Sequence, residues 1–66
     1  MSRLNFTKPE IAYIKSKIYL REDDEKILDL WLVEKTNKEI AAEVKLAVST
    51  VARRKDIILK KINKVL

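Results

Sequence analysis

The chain has no cysteine, no histidine and no glycine among its 66 residues, and these absences exclude several kinds of site. Without cysteine there can be neither a disulfide framework nor a thiolate zinc site. Without histidine the chain lacks imidazole, both as a general base and as a zinc ligand. Without glycine it has no phosphate-cradling loop and no nucleophile elbow. We therefore expect a protein that is not an enzyme and that uses no cofactor or metal.

Long apolar runs are also missing. No segment approaches the ~20 apolar residues that a transmembrane helix requires, and the N-terminal sequence MSRLNFTKPE lacks the apolar stretch of a signal peptide. A chain of 66 residues fits one domain, which we place at 1–66. We expect this domain to be cytoplasmic and to have no membrane partner.

The net charge of +5 is distributed unevenly along the chain. Residues 1–34 carry 6 basic and 7 acidic side chains, whereas residues 35–66 carry 9 basic and 3 acidic ones. Such asymmetry is typical of a protein that binds a polyanion, and it favours nucleic acid as the partner. The alternative is a solvated basic face that only keeps the protein soluble.

Helical signals cover most of the chain, and strand-type alternation is not sustained anywhere. Two capping boxes, TKPE at Thr7 and TNKE at Thr36, mark the starts of a first and a third helix. The spacing predicts helices at about 8–20, at about 23–34, from Asn37, and from near Val48 almost to Lys64. The fold class is therefore all-α, a small bundle of about four helices containing a helix-turn-helix at 36–62, with 1–20 as an N-terminal helical extension.

The predicted fourth helix has one apolar face and one polar face. Each residue of an α-helix is rotated by ~100° about the helix axis from the one before it. Viewed along this axis, one group of side chains lies within about 40° of Val51. This group is Ile58, Ile62 and Val65. The opposite side holds Ser49, Arg53, Asp56 and Lys60. We assign to the core Ile40, Val44, Val51, Ile58, Ile62 and Trp31.

Residues 36–51 read TNKEIAAEVKLAVSTV, two short amphipathic patterns joined by a polar break. The small side chain of Ala41 lets the two helices approach closely, Leu46 fills the angle between them, and Val51 anchors the second helix. This arrangement is typical of a helix-turn-helix, whose second helix enters the major groove of DNA. An ordinary helical hairpin within a bundle is the alternative.

The same residues resemble a known family. Asn37-Lys38-Glu39-Ile40-Ala41, Val44, Leu46 and Ser49-Thr50-Val51 look like the helix-turn-helix of the LuxR/GerE family, and the span is also similar to the fourth region of bacterial sigma factors, which recognises promoter DNA. The similarity extends to 27–30 and 58–62 and covers roughly 20–62. It implies a DNA-binding domain.

Three positions depart from the pattern of the family. Lys45 stands where the turn commonly has glycine, so either Lys45 adopts the left-handed conformation at a cost of roughly 1 kcal/mol or the turn differs. Ala47 stands where a serine or threonine usually caps the recognition helix. Arg54 replaces a frequent histidine, and we expect its stem to pack while its guanidinium points outward.

The side chains of the fourth helix that face away from Val51 are the predicted base readers. Arg53 can bond guanine O6 and N7 together, Ser49 can bond several bases, and Ala52 and Val48 can contact a thymine methyl. Asp56 either accepts from cytosine N4 or pairs with a lysine such as Lys60, which we favour.

The predicted phosphate contacts lie around the two helix starts. The N-terminus of the third helix offers free amides and a favourable dipole, and lysines and arginines extend this surface. The set is Thr36, Asn37, Lys38, Lys45, Thr50, Arg54 and Lys55. If the chain neutralises about 5–7 phosphates, a plot of log affinity against log salt concentration should have a slope of roughly −4 to −6.

The sequence thus predicts a sequence-specific transcription regulator of bacterial or phage type that binds double-stranded DNA. One module buries only about 600–1,000 Å², so a homodimer on paired half-sites is favoured, with Leu59, Ile62 and Leu66 as a C-terminal seam or as core. The alternative is a sigma-like protein-interaction module that docks on RNA polymerase or another regulator through acidic residues 22–25.

Overall fold

The structure, a computed structural model, describes residues 6–66 and contains four helices. They are α1 (Lys8–Lys17), α2 (Glu22–Leu32), α3 (Asn37–Val44) and α4 (Val48–Val65). There is no strand in this part of the chain, and the prediction of a small all-α bundle is confirmed. Residues 1–5 of the expected N-terminal extension lie outside the described residues. The first two helices end two or three residues earlier than expected.

Both predicted capping boxes form. The Thr7 hydroxyl accepts from the Glu10 amide, and the Thr7 amide donates to Glu10 Oε1 at 2.8 Å. At α3 the Thr36 hydroxyl accepts from the Glu39 amide at 3.2 Å, and the Thr36 amide donates to Glu39 Oε1 at 2.9 Å. Each box satisfies a helix amide that would otherwise lack a partner, which fixes where the helix begins.

Two helices end in left-handed turns that contain no glycine. Glu34 (φ 67°) follows α2 and Lys45 (φ 60°) follows α3. In each turn the next amide reaches back five residues, from Lys35 to the Leu30 carbonyl and from Leu46 to the Ala41 carbonyl, both at 3.1 Å. This is the Schellman arrangement, which usually places glycine at the left-handed position. A side chain there costs roughly 1 kcal/mol, so the turns require support from packing.

The core is built around α4, which contacts each of the other three helices. Its buried side chains Val51, Ile58 and Ile62 confirm the predicted apolar face. The other helices contribute the remaining buried apolar residues, which are Ile14, Ile27, Leu28, Trp31, Ile40 and Ala41. Val44 and Leu46 are partly buried against this cluster, as their place at the end of α3 and in the turn requires.

One charged pair is built into the interior. Asp24 in the first turn of α2 is 1% exposed, and both of its carboxylate oxygens accept from the Arg54 guanidinium of α4. The Arg54 Nε–Asp24 Oδ1 distance is 2.8 Å. These hydrogen bonds hold the pKa of Asp24 below its ordinary value although burial acts in the opposite direction. The two-point contact fixes the rotation of α4 relative to α2.

A second cation lies beside this pair. Lys55 is 6% exposed, and its ammonium lies 4.5 Å from the centre of the Trp31 ring. The face of an indole ring attracts a cation, which offsets part of the cost of removing the ammonium from water. Burial nevertheless lowers the pKa of Lys55. Lys55 therefore joins α4 to α2 as Arg54 does.

The exposed side of the bundle carries an ion pair between α1 and α2. Lys15 Nζ lies 2.6 Å from Asp29 Oδ1, and both side chains are accessible to water. Such a pair contributes at most about 1 kcal/mol. Within residues 6–66 no helix is both long enough and apolar enough to cross a membrane.

Replacing Asp24 by asparagine should destabilise the fold. Asp24→Asn leaves the half-buried Arg54 guanidinium without its counter-charge. Removing one partner of a fully buried pair costs about 3–5 kcal/mol, which is the upper bound here because Arg54 is partly accessible to water. The pH dependence should change as well. Because the pKa of Asp24 is lowered in the folded state, its stabilisation is complete above about pH 4 and is lost as the pH falls toward the lowered value.

Urea unfolding of the two proteins between about pH 2 and pH 7 measures both effects. The difference in unfolding free energy should be largest at neutral pH and shrink in acid. Glu39, whose pKa is also lowered, contributes an acid loss that both proteins share. Equal stability of Asp24→Asn and the parent chain at pH 7 would show that the pair contributes nothing.

Candidate nucleic-acid interface

The five predicted base readers lie on one exposed strip of α4, which we call the outer stripe. Its members are Val48, Ser49, Ala52, Arg53 and Asp56, and all five are exposed. Val48, an apolar residue, is 45% exposed. The stripe occupies the first half of the helix and spans about 12 Å, since each residue of an α-helix advances about 1.5 Å.

Asp56 has a different environment from the one we favoured. Among residues 6–66 its carboxylate makes no ion pair, so the expected bond to Lys60 is wrong. Lys60 is exposed one turn further along α4. A separation of four residues on a helix allows an ion pair, but these two side chains do not form one. Asp56 therefore keeps its acceptor oxygens free on the outer stripe.

The orientation of the outer stripe is fixed by the opposite face of α4. Val51 is fully buried there, Arg54 is bonded to Asp24, and Lys55 lies over Trp31. Side chains on the buried face of one turn determine which side chains of that turn face water. The contacts of these three residues therefore direct Arg53 and Ala52 to solvent.

The structure contradicts the predicted phosphate contacts of Arg54 and Lys55. The Arg54 guanidinium was expected to point outward, but its Nε and Nη2 atoms donate to Asp24. Lys55 was expected at the surface, but it is buried over Trp31. Both residues lie at the edges of the apolar face of α4, where a buried carboxylate and an aromatic ring on α2 satisfy their charges. We assign both a positioning role.

The N-terminus of α3 holds three of the predicted phosphate contacts in different environments. Lys38 is exposed. Thr36 is exposed, but its amide and hydroxyl are both bonded to Glu39, whose carboxylate occupies part of the space proposed for a phosphate. Asn37 is half-buried, and its Oδ1 atom is buried without a hydrogen-bond partner among the described residues. Of the three predicted contacts at this helix start, Lys38 is thus the one whose charged group is exposed.

Lys45 is exposed in the turn between α3 and α4, and Thr50 is half-buried in the first turn of α4. Lys45 adopts the left-handed conformation (φ 60°, ψ 44°). Of the two alternatives, a left-handed Lys45 or a different turn, the structure therefore has the first. Ala47 precedes α4 without a side-chain cap, and the helix begins at Val48 as predicted. Thr50 lines a small cavity of about 170 Å³ beside the Asp24–Arg54 pair, together with Leu46.

The predicted C-terminal seam for a dimer is mostly core. Ile62 is 1% exposed and cannot pair with a second chain without unfolding this one, and Leu59 is half-buried against the core cluster. Leu66, at 65% exposed, is the most accessible of the three. The alternative interpretation, in which these residues pack in the core, is correct for Ile62 and Leu59.

The second half of the chain remains basic at its surface after these corrections. Without Arg54 and Lys55, residues 35–66 present seven cationic side chains, Lys35, Lys38, Lys45, Arg53, Lys60, Lys61 and Lys64, against three acidic ones, Glu39, Glu43 and Asp56. The surface of residues 35–66 therefore has the charge to bind an anionic polymer.

The described residues include no group of three or more carboxylates placed to hold a metal ion.

Sequence reasoning missed Asp24 and the role of Trp31 in this interface. Asp24 was expected in the exposed acidic segment 22–25, but it is buried and bonded to Arg54. Asp24, Ile27, Leu28 and Trp31 are spaced i, i+3, i+4 and i+7, which is the spacing of one helix face. The acidic residue therefore lay on the buried face of α2, where its burial and its need for a cationic partner could have been predicted.

Comparison of the chain with protein-family models, curated proteins and solved structures gives no match.

Lys45→Gly should stabilise the chain by up to about 1 kcal/mol, because glycine adopts the left-handed conformation without the steric cost. Lys45→Ala is the matched control, since it removes the same charge but retains a Cβ atom. Thermal or urea unfolding should therefore rank glycine above alanine. If alanine is as stable as glycine at this position, the turn stores no conformational strain.

Proposed function

We propose that the chain is a sequence-specific transcription regulator of bacterial or phage type that binds double-stranded DNA. In this proposal α3, the turn at Lys45 and α4 form a helix-turn-helix, and the first half of α4 enters the major groove. The observation that carries the proposal is the outer stripe, which combines hydrogen-bonding and apolar side chains on the exposed face of a helix whose other face is locked in the core. The resemblance to LuxR/GerE domains supports the same function.

The chemistry of the outer stripe suits base edges. A guanidinium such as that of Arg53 can donate to both O6 and N7 of guanine, which discriminates against other bases by about 1–3 kcal/mol. Asp56 can accept from the exocyclic amine of cytosine. Val48 and Ala52 can contact the methyl group of thymine, and Ser49 can bond to more than one base.

The basic residues at the edges of the stripe supply the contacts to the sugar–phosphate backbone. Lys38 lies at the start of α3 and Lys45 in the turn, and both are exposed. Their ammonium groups are free of ion pairs within the described chain. Phosphate contacts of this kind fix the position of a helix in the groove without reading the sequence.

A homodimer on paired half-sites would have to use a surface other than the expected seam, because Leu59 and Ile62 stabilise the monomer. Sedimentation of the purified chain with and without duplex DNA distinguishes a preformed dimer from two monomers that meet on adjacent half-sites.

The second candidate function is docking on RNA polymerase or another regulator through the acidic start of α2. Glu22, Asp23 and Glu25 are exposed there, whereas Asp24 is committed to Arg54. Three adjacent carboxylates can bind a basic surface on another protein. Strong binding of the purified chain to duplex DNA alone favours the first function, and binding to polymerase with little affinity for duplex favours the second.

Arg53→Ala should weaken binding to the preferred duplex much more than binding to random duplex. Loss of a two-point bond to guanine predicts about a 10-fold to 100-fold loss on the preferred site, selected first from a random pool by the parent chain. Arg53→Lys keeps the charge but loses the planar fork, so it should resemble alanine in specificity. Equal losses on both duplexes would remove Arg53 as a base reader.

Lys38→Ala should lower affinity on every duplex to a similar extent, because a phosphate contact carries no sequence information. Removing Arg54 and Lys55 from the phosphate set lowers the expected 5–7 neutralised phosphates to about 3–5, so the slope of log affinity against log salt concentration should be about −3 to −4.5 per chain rather than −4 to −6. Lys26→Ala, at an exposed position of α2, is the control and should change neither the affinity nor the salt slope. An affinity independent of salt would refute the electrostatic part of the proposal.

A further inference from the structure

A groove separate from the outer stripe lies where the C-terminal ends of α1 and α4 meet. We call it the C-terminal groove. It is open to solvent, has a volume of about 330 Å³ and is lined by Lys17, Ile18, Tyr19, Lys61, Lys64 and Val65. Lys64 is about 16 Å further along the axis of α4 than Arg53. A helix that enters DNA with its first half therefore leaves this end free for another partner.

The C-terminal groove has an apolar base with three ammonium groups around it. Ile18 and Val65 are half-buried, and Tyr19 is 81% exposed. Lys61 Nζ donates to the Tyr19 carbonyl at 3.2 Å, which holds the backbone of Tyr19 against α4 and leaves the ring in water. A large aromatic ring held in solvent by its backbone is available for contact with another molecule.

The charge around the groove is of one sign. None of its six lining residues is acidic, and within residues 6–66 neither Lys17, Lys61 nor Lys64 has an ion-pair partner. Two copies of the groove facing each other would bring six ammonium groups together, which opposes a symmetric dimer through this surface. The occupant must supply negative charge.

The occupant must also supply apolar side chains. A duplex phosphate backbone would satisfy the lysines but would gain nothing from Ile18 and Val65. Single-stranded nucleic acid binds along successive aromatic platforms, whereas this groove offers one ring next to aliphatic side chains. Because the groove is open, it would leave much of a small molecule in water, whereas it can accept side chains that project from a partner surface.

We propose that the C-terminal groove binds an acidic amphipathic segment of a partner protein, whose carboxylates meet Lys17, Lys61 and Lys64 and whose apolar side chains pack on Tyr19, Ile18 and Val65. The surface is distinct from the acidic start of α2 and opposite to it in charge. It would let the chain hold another protein while α4 is in the DNA groove. The inference does not rest on the proposed function.

The probe is a fluorescent synthetic peptide of Asp, Leu and Phe, with two matched peptides in which either the apolar residues become Ser or Asp becomes Asn. The first peptide should bind at least about tenfold more tightly than either matched peptide, because only it supplies both charge and apolar contact. Lys17→Glu/Lys64→Glu should weaken its binding by about tenfold or more, and Tyr19→Ala by about fivefold.

The control variants separate this site from the others. Lys26→Glu makes the same type of charge change on α2 and should leave peptide binding unchanged, as should Arg53→Ala on the outer stripe. Since Lys17, Lys64 and Tyr19 are exposed, circular dichroism of the variants should match that of the parent.

Three results would overturn the proposal. In the first, the Ser-substituted peptide binds as well as the parent peptide, which makes the groove a simple charged patch. In the second, Lys17→Glu/Lys64→Glu weakens binding to duplex or single-stranded oligonucleotides as much as binding to the peptide, which makes it a nucleic-acid contact. In the third, sedimentation shows self-association that Tyr19→Ala abolishes, which makes the occupant a second copy.

Discussion

The bond between Asp24 and Arg54 is the constraint on which the exposed surface of this small bundle depends. A single apolar face allows a helix some freedom to rotate about its axis, because aliphatic contacts have little directionality. The two hydrogen bonds from a planar guanidinium to a buried carboxylate remove that freedom, and the ammonium of Lys55 over Trp31 reinforces the same orientation. Two of the basic residues of α4 thus serve to direct a third, Arg53, into solvent.

The absence of glycine has a structural consequence at the ends of α2 and α3. Glu34 and Lys45 adopt left-handed conformations that glycine adopts more easily, and each turn is closed by a backbone bond to a carbonyl five residues earlier. At Lys45 the same position places an exposed ammonium in the turn before α4. A proposed phosphate ligand therefore stands where glycine would give the more relaxed backbone.

Much of the fold could be predicted because the signals for it are local. Capping boxes at Thr7 and Thr36 fixed two helix starts, and the spacing of apolar residues identified Val51, Ile58 and Ile62 as core. The exposed members of α4 followed from the same spacing. The environments of Arg54 and Lys55 were predicted incorrectly because residue type was given more weight than position. Both flank the apolar face, and their partners, 24 to 30 residues away in the chain, become neighbours only after α2 packs on α4. The C-terminal groove depends likewise on the packing of α1 against α4, which no local pattern indicates.

We propose that the outer stripe of α4 meets the bases of DNA while the far end of the helix does not. The most direct test is an NMR titration of the isotopically labelled chain with the duplex that it selects from a random pool. We expect the largest amide shifts at residues 48–56, smaller ones at Lys38 and Lys45, and little change at Tyr19 and Lys64. Largest shifts at residues 17–20 and 61–65, or no shifts at a duplex concentration that saturates binding, would contradict it.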